Sequence, residues 1–227
     1  MRPETRSKFH NELDQLESEV VLLGGQGEVA VRQSVDALVR RDRELATSVI
    51  EGDDALDERY LDIEKRILDL FALQTPVATD LRLVSAILHI NLHLERVGDQ
   101  AVNVAKIGLA TFDLPASPVI LSHLTEMGDV VCKMLHTSIE AFERRDLELC
   151  LKLPAMDDPV DQLNRGMYTE VVKLANDERL LEWGIRMNVV ARALERVGDN
   201  AVDIGEQVGF LLTGEFREFT DASHDAT

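Results

Sequence analysis

The amino-acid sequence predicts an all-α protein made of two tandem three-helix bundles, with six long helices related by internal duplication. Its 227 residues are 45% hydrophobic but only 4% aromatic, and they are rich in Leu, Val, Ala, Glu and Arg, a balance that favours helices. Apolar residues recur every three to four positions over long segments, which is the period of an amphipathic helix. The hexapeptide LERVGD occupies residues 94–99 and returns at 194–199, which indicates a duplicated unit.

The first half of the chain predicts three long helices. The first spans about residues 5–40, and the second is capped by Asp42 and runs to about residue 73. Thr75-Pro76 supplies a cap and a first-turn proline for a third helix over about residues 77–111. A glycine cluster interrupts the apolar pattern of the first helix and predicts a kink or close packing there: Gly24, Gly25 and Gly27.

A break at residues 113–117 separates this half from a second half that repeats it. Positions in the second half follow their counterparts by 104 residues in the first two helices and by 100 residues at the LERVGD segment. We therefore predict one bundle over residues 1–114, a second bundle over 115–214, and a flexible tail over 215–227.

Each repeat carries two acidic pairs of the form D/E-x-x-x-D, one on its second helix and one on its third. Residues four apart lie on one helix face, with about 5–6 Å between their Cβ atoms, so two like charges there are unfavourable without a cation. Glu95 also falls in register with an apolar row, where an isolated carboxylate is costly to bury. The pairs therefore predict metal sites built from eight ligands: Asp53, Asp57, Glu95, Asp99, Asp157, Asp161, Glu195 and Asp199.

The ligand atoms of these pairs are all oxygens, which favours hard cations such as Mg²⁺, Ca²⁺, Mn²⁺ or iron over structural zinc. Gly98 leaves room for a neighbouring helix or for ligands to approach. Two simpler interpretations of a single pair remain open, namely a solvated helix face and an ion pair with Arg96. The recurrence of the pair at four corresponding positions favours metal over either of them.

The net charge of −18 limits the partners that the protein can bind. Basic residues number 13 against 21 acidic ones in residues 1–114, and 11 against 21 in residues 115–227, so both halves are acidic. Such a surface repels nucleic acid and anionic lipid, and it suits cations or a basic patch on a partner protein. No apolar segment is long enough to span a bilayer, and residues 1–10 lack the pattern of a signal peptide, so we expect a cytoplasmic protein.

These features resemble the PhoU family, which comprises accessory and regulatory proteins of bacterial phosphate-specific transport. The resemblance rests on two copies of E-R-V-G-D, each of which is preceded by an acidic pair after a Gly-Asp or Met-Asp step. It covers about residues 5–215. The stretches IEGD at residues 50–53 and TDLR at 79–82 add to it. The resemblance implies two three-helix bundles whose acidic motifs bind divalent or iron-type metal ions (Mg, Mn, Fe or Zn) at the eight positions named above.

The resemblance also implies a role without catalysis. We expect a homodimer that negatively regulates phosphate uptake and the phosphate-starvation response, and that reaches the inner face of the membrane through its partners. The implied partners are the ATPase subunit of the phosphate ABC importer and a sensor histidine kinase. Neither binding to nucleic acid nor direct insertion into the membrane is expected.

One departure from the family pattern concerns the second half. Pro159 falls inside the Asp157–Asp161 pair, and proline is tolerated in a helix mainly in the first turn. With Asp158 as the cap and Pro159 as the first helical residue, Asp157 would lie outside the helix. We therefore expect the first-half site to bind metal more tightly, which titration of Asp53→Ala and Asp157→Ala variants with Mn²⁺ tests.

Two other classes of function compete with this interpretation. A carboxylate-bridged, ferritin-like di-metal oxidase pairs Glu with a Glu-x-x-His motif, and no Glu-x-x-His occurs in the sequence. A metal-free helical scaffold stays open if the acidic pairs are simply solvated. The sequence shows no nucleophile–base arrangement, phosphate-binding glycine loop or zinc spacing, which agrees with the role without catalysis that the resemblance implies.

Overall fold

The computed structural model describes residues 3–73 and 78–219, which form six long helices and one short helix without any strand. The predicted all-α class and the six long helices are thereby confirmed. Among these helices, none combines the length and the apolar character needed to cross a bilayer. The helices are α1 (Pro3–Arg40), α2 (Arg43–Leu73), α3 (Ala78–Thr111), α4 (Pro118–Arg144), α5 (Leu147–Cys150), α6 (Leu153–Val172) and α7 (Glu178–Thr213).

The helix ends follow the local sequence and repeat between the halves. α1 and α4 are each followed by an arginine in the left-handed conformation, Arg41 with φ 56° and Arg145 with φ 55°. The next residue caps the following helix, because Asp42 and Asp146 each accept a hydrogen bond from a backbone N–H two or three residues ahead, at 3.0 Å and 2.9 Å. The predicted cap at Asp42 is confirmed, and its counterpart 104 residues later acts in the same way.

The second half departs from the first at the start of its second helix. α5 is a single turn, and α6 begins only at Leu153, so the predicted helix is divided in two. Pro154 occupies the first turn of α6, where its missing N–H breaks no helical hydrogen bond. The proline therefore explains where the longer helix restarts.

The two bundles lie side by side. α1, α2 and α3 pack together, as do α4, α6 and α7, and the groups join where α3 packs on α7 and α1 on α4. At the second junction a Cβ on Gly24 would lie 2.6 Å from Ile139, and a Cβ on Gly128 would lie 3.1 Å from Val35. Because Gly128 and Ile139 each follow their counterparts by 104 residues, the halves exchange equivalent contacts across an approximate twofold axis.

Within the glycine cluster of α1, Gly24 serves close packing, since it meets α4 while α1 continues unbroken from Pro3 to Arg40. The predicted cap at Thr75-Pro76 lies outside the described residues, and the bounds of the two domains stay a prediction. At the C-terminus, residues 215–219 return along α7, where Glu206 Oε1 accepts a hydrogen bond from the N–H of Phe219 at 2.6 Å.

Candidate functional site

The eight predicted ligands lie in two sets, each shared by two neighbouring helices. Asp53 and Asp57 belong to α2, and Glu95 and Asp99 belong to α3, which packs beside α2. The counterparts in the second half lie on α6 and α7, which also pack together. The fold thus brings the two acidic pairs of each repeat onto adjacent helices.

The carboxylates of the first set are half-buried or exposed, and two of them, Asp53 and Glu95, have raised pKa values. Asp53 lies against α3 where Gly98 has no side chain, since a Cβ on Gly98 would be 3.3 Å from Asp53 Oδ1. Burial, followed by the charges of Asp57 and Asp99, raises the pKa of Asp53. Burial, followed by the charges of Asp99 and Asp57, also raises the pKa of Glu95. Carboxylates from both helices are therefore close enough to interact.

The second set is buried more deeply. Asp157 and Glu195 are each 6% exposed. A Cβ on Gly198 would overlap Asp157 Oδ1, so the glycine again lets a carboxylate approach the neighbouring helix. Burial, followed by the charge of Asp199, raises the pKa of Glu195 to about 7. The second set consequently holds its carboxylates at a greater cost of desolvation than the first.

The two carboxylate oxygens of Glu195 have different surroundings. Oε1 accepts a hydrogen bond from Arg192 on the same helix and another, at 3.5 Å, from Nδ2 of Asn164 on α6. Oε2 is buried and has no hydrogen-bond partner among the described residues. A buried carboxylate oxygen without a partner is unfavourable, and a proton or a cation would remove that cost.

Sequence reasoning missed Arg192 and Asn164 as neighbours of the second set. Their counterparts in the first half are Leu92 and Tyr60, so neither belongs to the repeat that revealed the carboxylates. The available signal was helical spacing, because Arg192 precedes Glu195 by three residues and Asn164 follows the acidic pair of α6 by three.

Pro159 does not place Asp157 outside the helix, which corrects the expectation from the sequence. α6 begins at Leu153, so Asp157 and Asp161 both lie inside it and keep their spacing of about one turn. The proline removes one backbone hydrogen bond but does not end the helix. The geometric reason for a weaker second site is therefore wrong, and the relative affinity of the two sites stays a prediction.

The donor set suits a hard cation, although the side chains are not gathered into a ligand shell. No group of three or more His, Cys, Asp or Glu side chains within residues 3–73 and 78–219 is arranged to hold a metal ion. Arginines engage part of the second set, since Arg165 pairs with Asp161 at 3.2 Å and Arg192 pairs with Glu195. A cation there would compete with these arginines for the carboxylate oxygens that they engage.

The two cysteines take no part in these sets. Cys132 and Cys150 are both free and buried, and burial raises the pKa of each thiol to about 12. A thiol with such a pKa stays protonated near neutral pH, so it is a poor nucleophile and a poor metal ligand.

Comparison with known proteins identifies the family. The family model described as the PhoU domain matches the chain twice, over residues 11–108 and 124–208. The phosphate-specific transport system accessory protein PhoU homolog of Caulobacter vibrioides is 33% identical over 216 residues, which cover 95% of this chain and 94% of that protein. PhoU of Escherichia coli K12 is 29% identical over 209 residues, which cover 92% of this chain and 86% of that protein.

Two crystal structures share the fold. PhoU from Pseudomonas aeruginosa superposes with a TM-score of 0.87 at 32% identity, covering 91% of this chain and all (100%) of that one. The phosphate transport system regulatory protein PhoU from Streptococcus pneumoniae gives a TM-score of 0.85 at 28% identity, covering 92% of this chain and 99% of that one. The two matched segments coincide with the two halves of the repeat, and this chain belongs to the PhoU family.

Proposed function

We propose that this chain is a non-enzymatic negative regulator of phosphate uptake and of the phosphate-starvation response. The observation that carries the proposal is the double match to the PhoU domain, together with relatives of nearly the same length that are named accessory proteins of phosphate-specific transport. In this role the protein acts in the cytoplasm as a homodimer and links the ATPase subunit of the phosphate ABC importer to a sensor histidine kinase. Its net charge of −18 suits basic surfaces on such partners.

The proposal includes metal binding at both carboxylate sets. When bound, a cation supplies the positive charge that offsets burial and mutual repulsion of the carboxylates. The raised pKa values of Asp53, Glu95 and Glu195 support this, because they report the unfavourable charge that a cation would relieve. The residues that would hold the ions are Asp53, Asp57, Glu95 and Asp99 between α2 and α3, and Asp157, Asp161, Glu195 and Asp199 between α6 and α7.

Elemental analysis of the purified protein tests the metal-binding part. After incubation with Mn²⁺, Mg²⁺ or Fe²⁺ and desalting, we expect stoichiometric metal in the wild type and its loss in Glu95→Ala/Glu195→Ala. The matched control is Asp69→Ala/Glu182→Ala, which removes two exposed carboxylates outside the sets and should keep the metal. No metal in any of the three proteins would favour a helical scaffold without metal.

Copurification tests the regulatory part. The tagged chain is mixed with the importer's ATPase subunit, and separately with the kinase, from the same organism at high and at low phosphate. We expect association that differs between the two phosphate conditions. Absence of association with either partner in both conditions would reject the proposed role. Light scattering of the purified chain separately measures whether it is a dimer.

A further inference from the structure

An apolar groove of about 450 Å³ lies on the outside of the first bundle, between α1 and α2. Leu22 and Val29 form one edge of this α1–α2 groove and are 54% and 52% exposed. They are seven residues apart, so they lie on the same face of α1, two turns from each other. The residues that line the groove include Leu22, Gly25, Val29, Ser48, Gly52 and Leu56.

Two glycines of the groove have no role in packing the protein itself. A Cβ on Gly24 or Gly27 would contact Ile139 or Val97, so these glycines serve internal contacts. Gly25 and Gly52 differ, because a Cβ on either would meet nothing within 4 Å. Glycine inside a helix is unfavourable compared with alanine, and here its use leaves space for another chain to approach both helices closely.

The second half of the chain serves as an internal comparison for the groove. Counting 104 residues onward, Leu22, Gly25 and Val29 correspond to Glu126, Asp129 and Lys133, which are all charged. The second bundle thus keeps the same fold with a polar surface at these positions. The apolar edge of the first bundle is therefore not required by the fold, and it points to a binding role.

An acidic row borders the groove on α2 and consists of Glu44, Glu51 and Glu58. The three residues are exposed and spaced by seven, so they lie in a line along the outer face of the helix. None of these three glutamates takes part in the ion pairs that the structure describes along α1 and α2. Their counterparts in the second half keep a single carboxylate: Glu148, Ala155 and Gln162.

We propose that the α1–α2 groove binds an amphipathic helix of a partner protein, with small apolar residues on one face and Lys or Arg on its flank. The apolar face would pack between Leu22, Val29 and Gly52, and the basic flank would pair with the acidic row. A second copy of the chain would bring the same acidic row against it, and anionic lipid would also be repelled. The inference rests on the proposed docking function and adds its surface and the chemistry of its partner.

Fluorescence anisotropy with a synthetic peptide tests this inference. The probe is a labelled amphipathic peptide of about 18 residues, about 27 Å long as a helix, with Leu and Ala on one face and Lys on the flanks. A twin peptide carries Glu in place of Lys. Gly52→Leu fills the groove, and Gly166→Leu is the matched control, because Gly166 is also helical with open space at its Cβ position. Melting curves check that both variants fold.

We expect the basic peptide to bind the wild type and Gly166→Leu equally, and to bind Gly52→Leu about tenfold more weakly or worse. Glu51→Lys should also weaken binding, and the acidic twin should not bind. If the basic peptide bound Gly52→Leu and the wild type with equal affinity, its binding would reflect unspecific charge attraction, and the inference would be overturned. A basic peptide that did not bind the wild type would also overturn it.

A different occupant of the groove is also detectable. Sedimentation that shows the wild type self-associating, with the association lost in Gly52→Leu, would assign the groove to a second copy and overturn the inference. The proposed function is tested separately, by copurification of the importer's ATPase subunit with the wild-type chain. If that subunit still copurifies, the proposed function stands even when the groove binds a second copy or does not bind the peptide. Failure of that copurification would reject the proposed function separately.

Discussion

Replacing Glu195 with Gln should make the stability of the metal-free protein less dependent on pH. The residue is 6% exposed, and its Oε2 has no hydrogen-bond partner among the described residues. Burial raises its pKa from the usual 4.5 to about 7, so the folded protein favours the protonated carboxyl. The resulting contribution to stability is fully present below pH 4.5 and is lost as the pH rises through 7.

The size of the effect follows from the two pKa values. The two pKa values differ by about 2.5, and each pKa unit corresponds to about 1.36 kcal/mol. Between pH 4 and pH 8 the free energy of unfolding of the wild type should therefore fall by about 3 kcal/mol more than that of Glu195→Gln. Urea denaturation in EDTA at both pH values measures the difference. Glu182→Gln removes an exposed carboxylate of the same helix and should behave as the wild type. If Glu195→Gln retained the full pH dependence of the wild type, the carboxyl would not be desolvated as described.

Three further predictions concern stability. In urea denaturation, Gly25→Ala should stabilise the protein by about 0.5–1 kcal/mol, because the space around its Cβ position is open. Gly24→Ala should instead destabilise it by about 1–2 kcal/mol, because the added Cβ would overlap with Ile139. Glu206→Ala should speed tryptic cleavage of residues 215–219 about fivefold, since about 1 kcal/mol is lost with the hydrogen bond to the N–H of Phe219; an unchanged rate would contradict it. At pH 8, Mn²⁺ at 100 times its Kd should raise the free energy of unfolding by about 2.7 kcal/mol for each carboxylate set that it fills, and EDTA should reverse the gain.

Much of the fold was predictable because its determinants are local. The apolar spacing located the helices, and Asp42 marked the start of α2 through a side chain that caps the next turn. The internal repeat located the four acidic pairs without any knowledge of the fold. Pro159 shows where local reasoning failed. The helix begins six residues earlier, at Leu153, so the proline lies in its interior and costs a backbone hydrogen bond without ending it.

The tertiary structure alone decided how the two carboxylate sets differ. The same hexapeptide LERVGD carries Glu95 and Glu195, yet Glu95 is half-buried and Glu195 is 6% exposed. Asn164 from α6 and Arg192 from the preceding turn surround Glu195, and neither has a counterpart of the same type in the first half. Helix formation depends on neighbours within about one turn, whereas desolvation and charge depend on every helix packed around a group. The sequence by itself therefore determined the helices and the carboxylates, and the packing of α6 against α7 determined what those carboxylates experience.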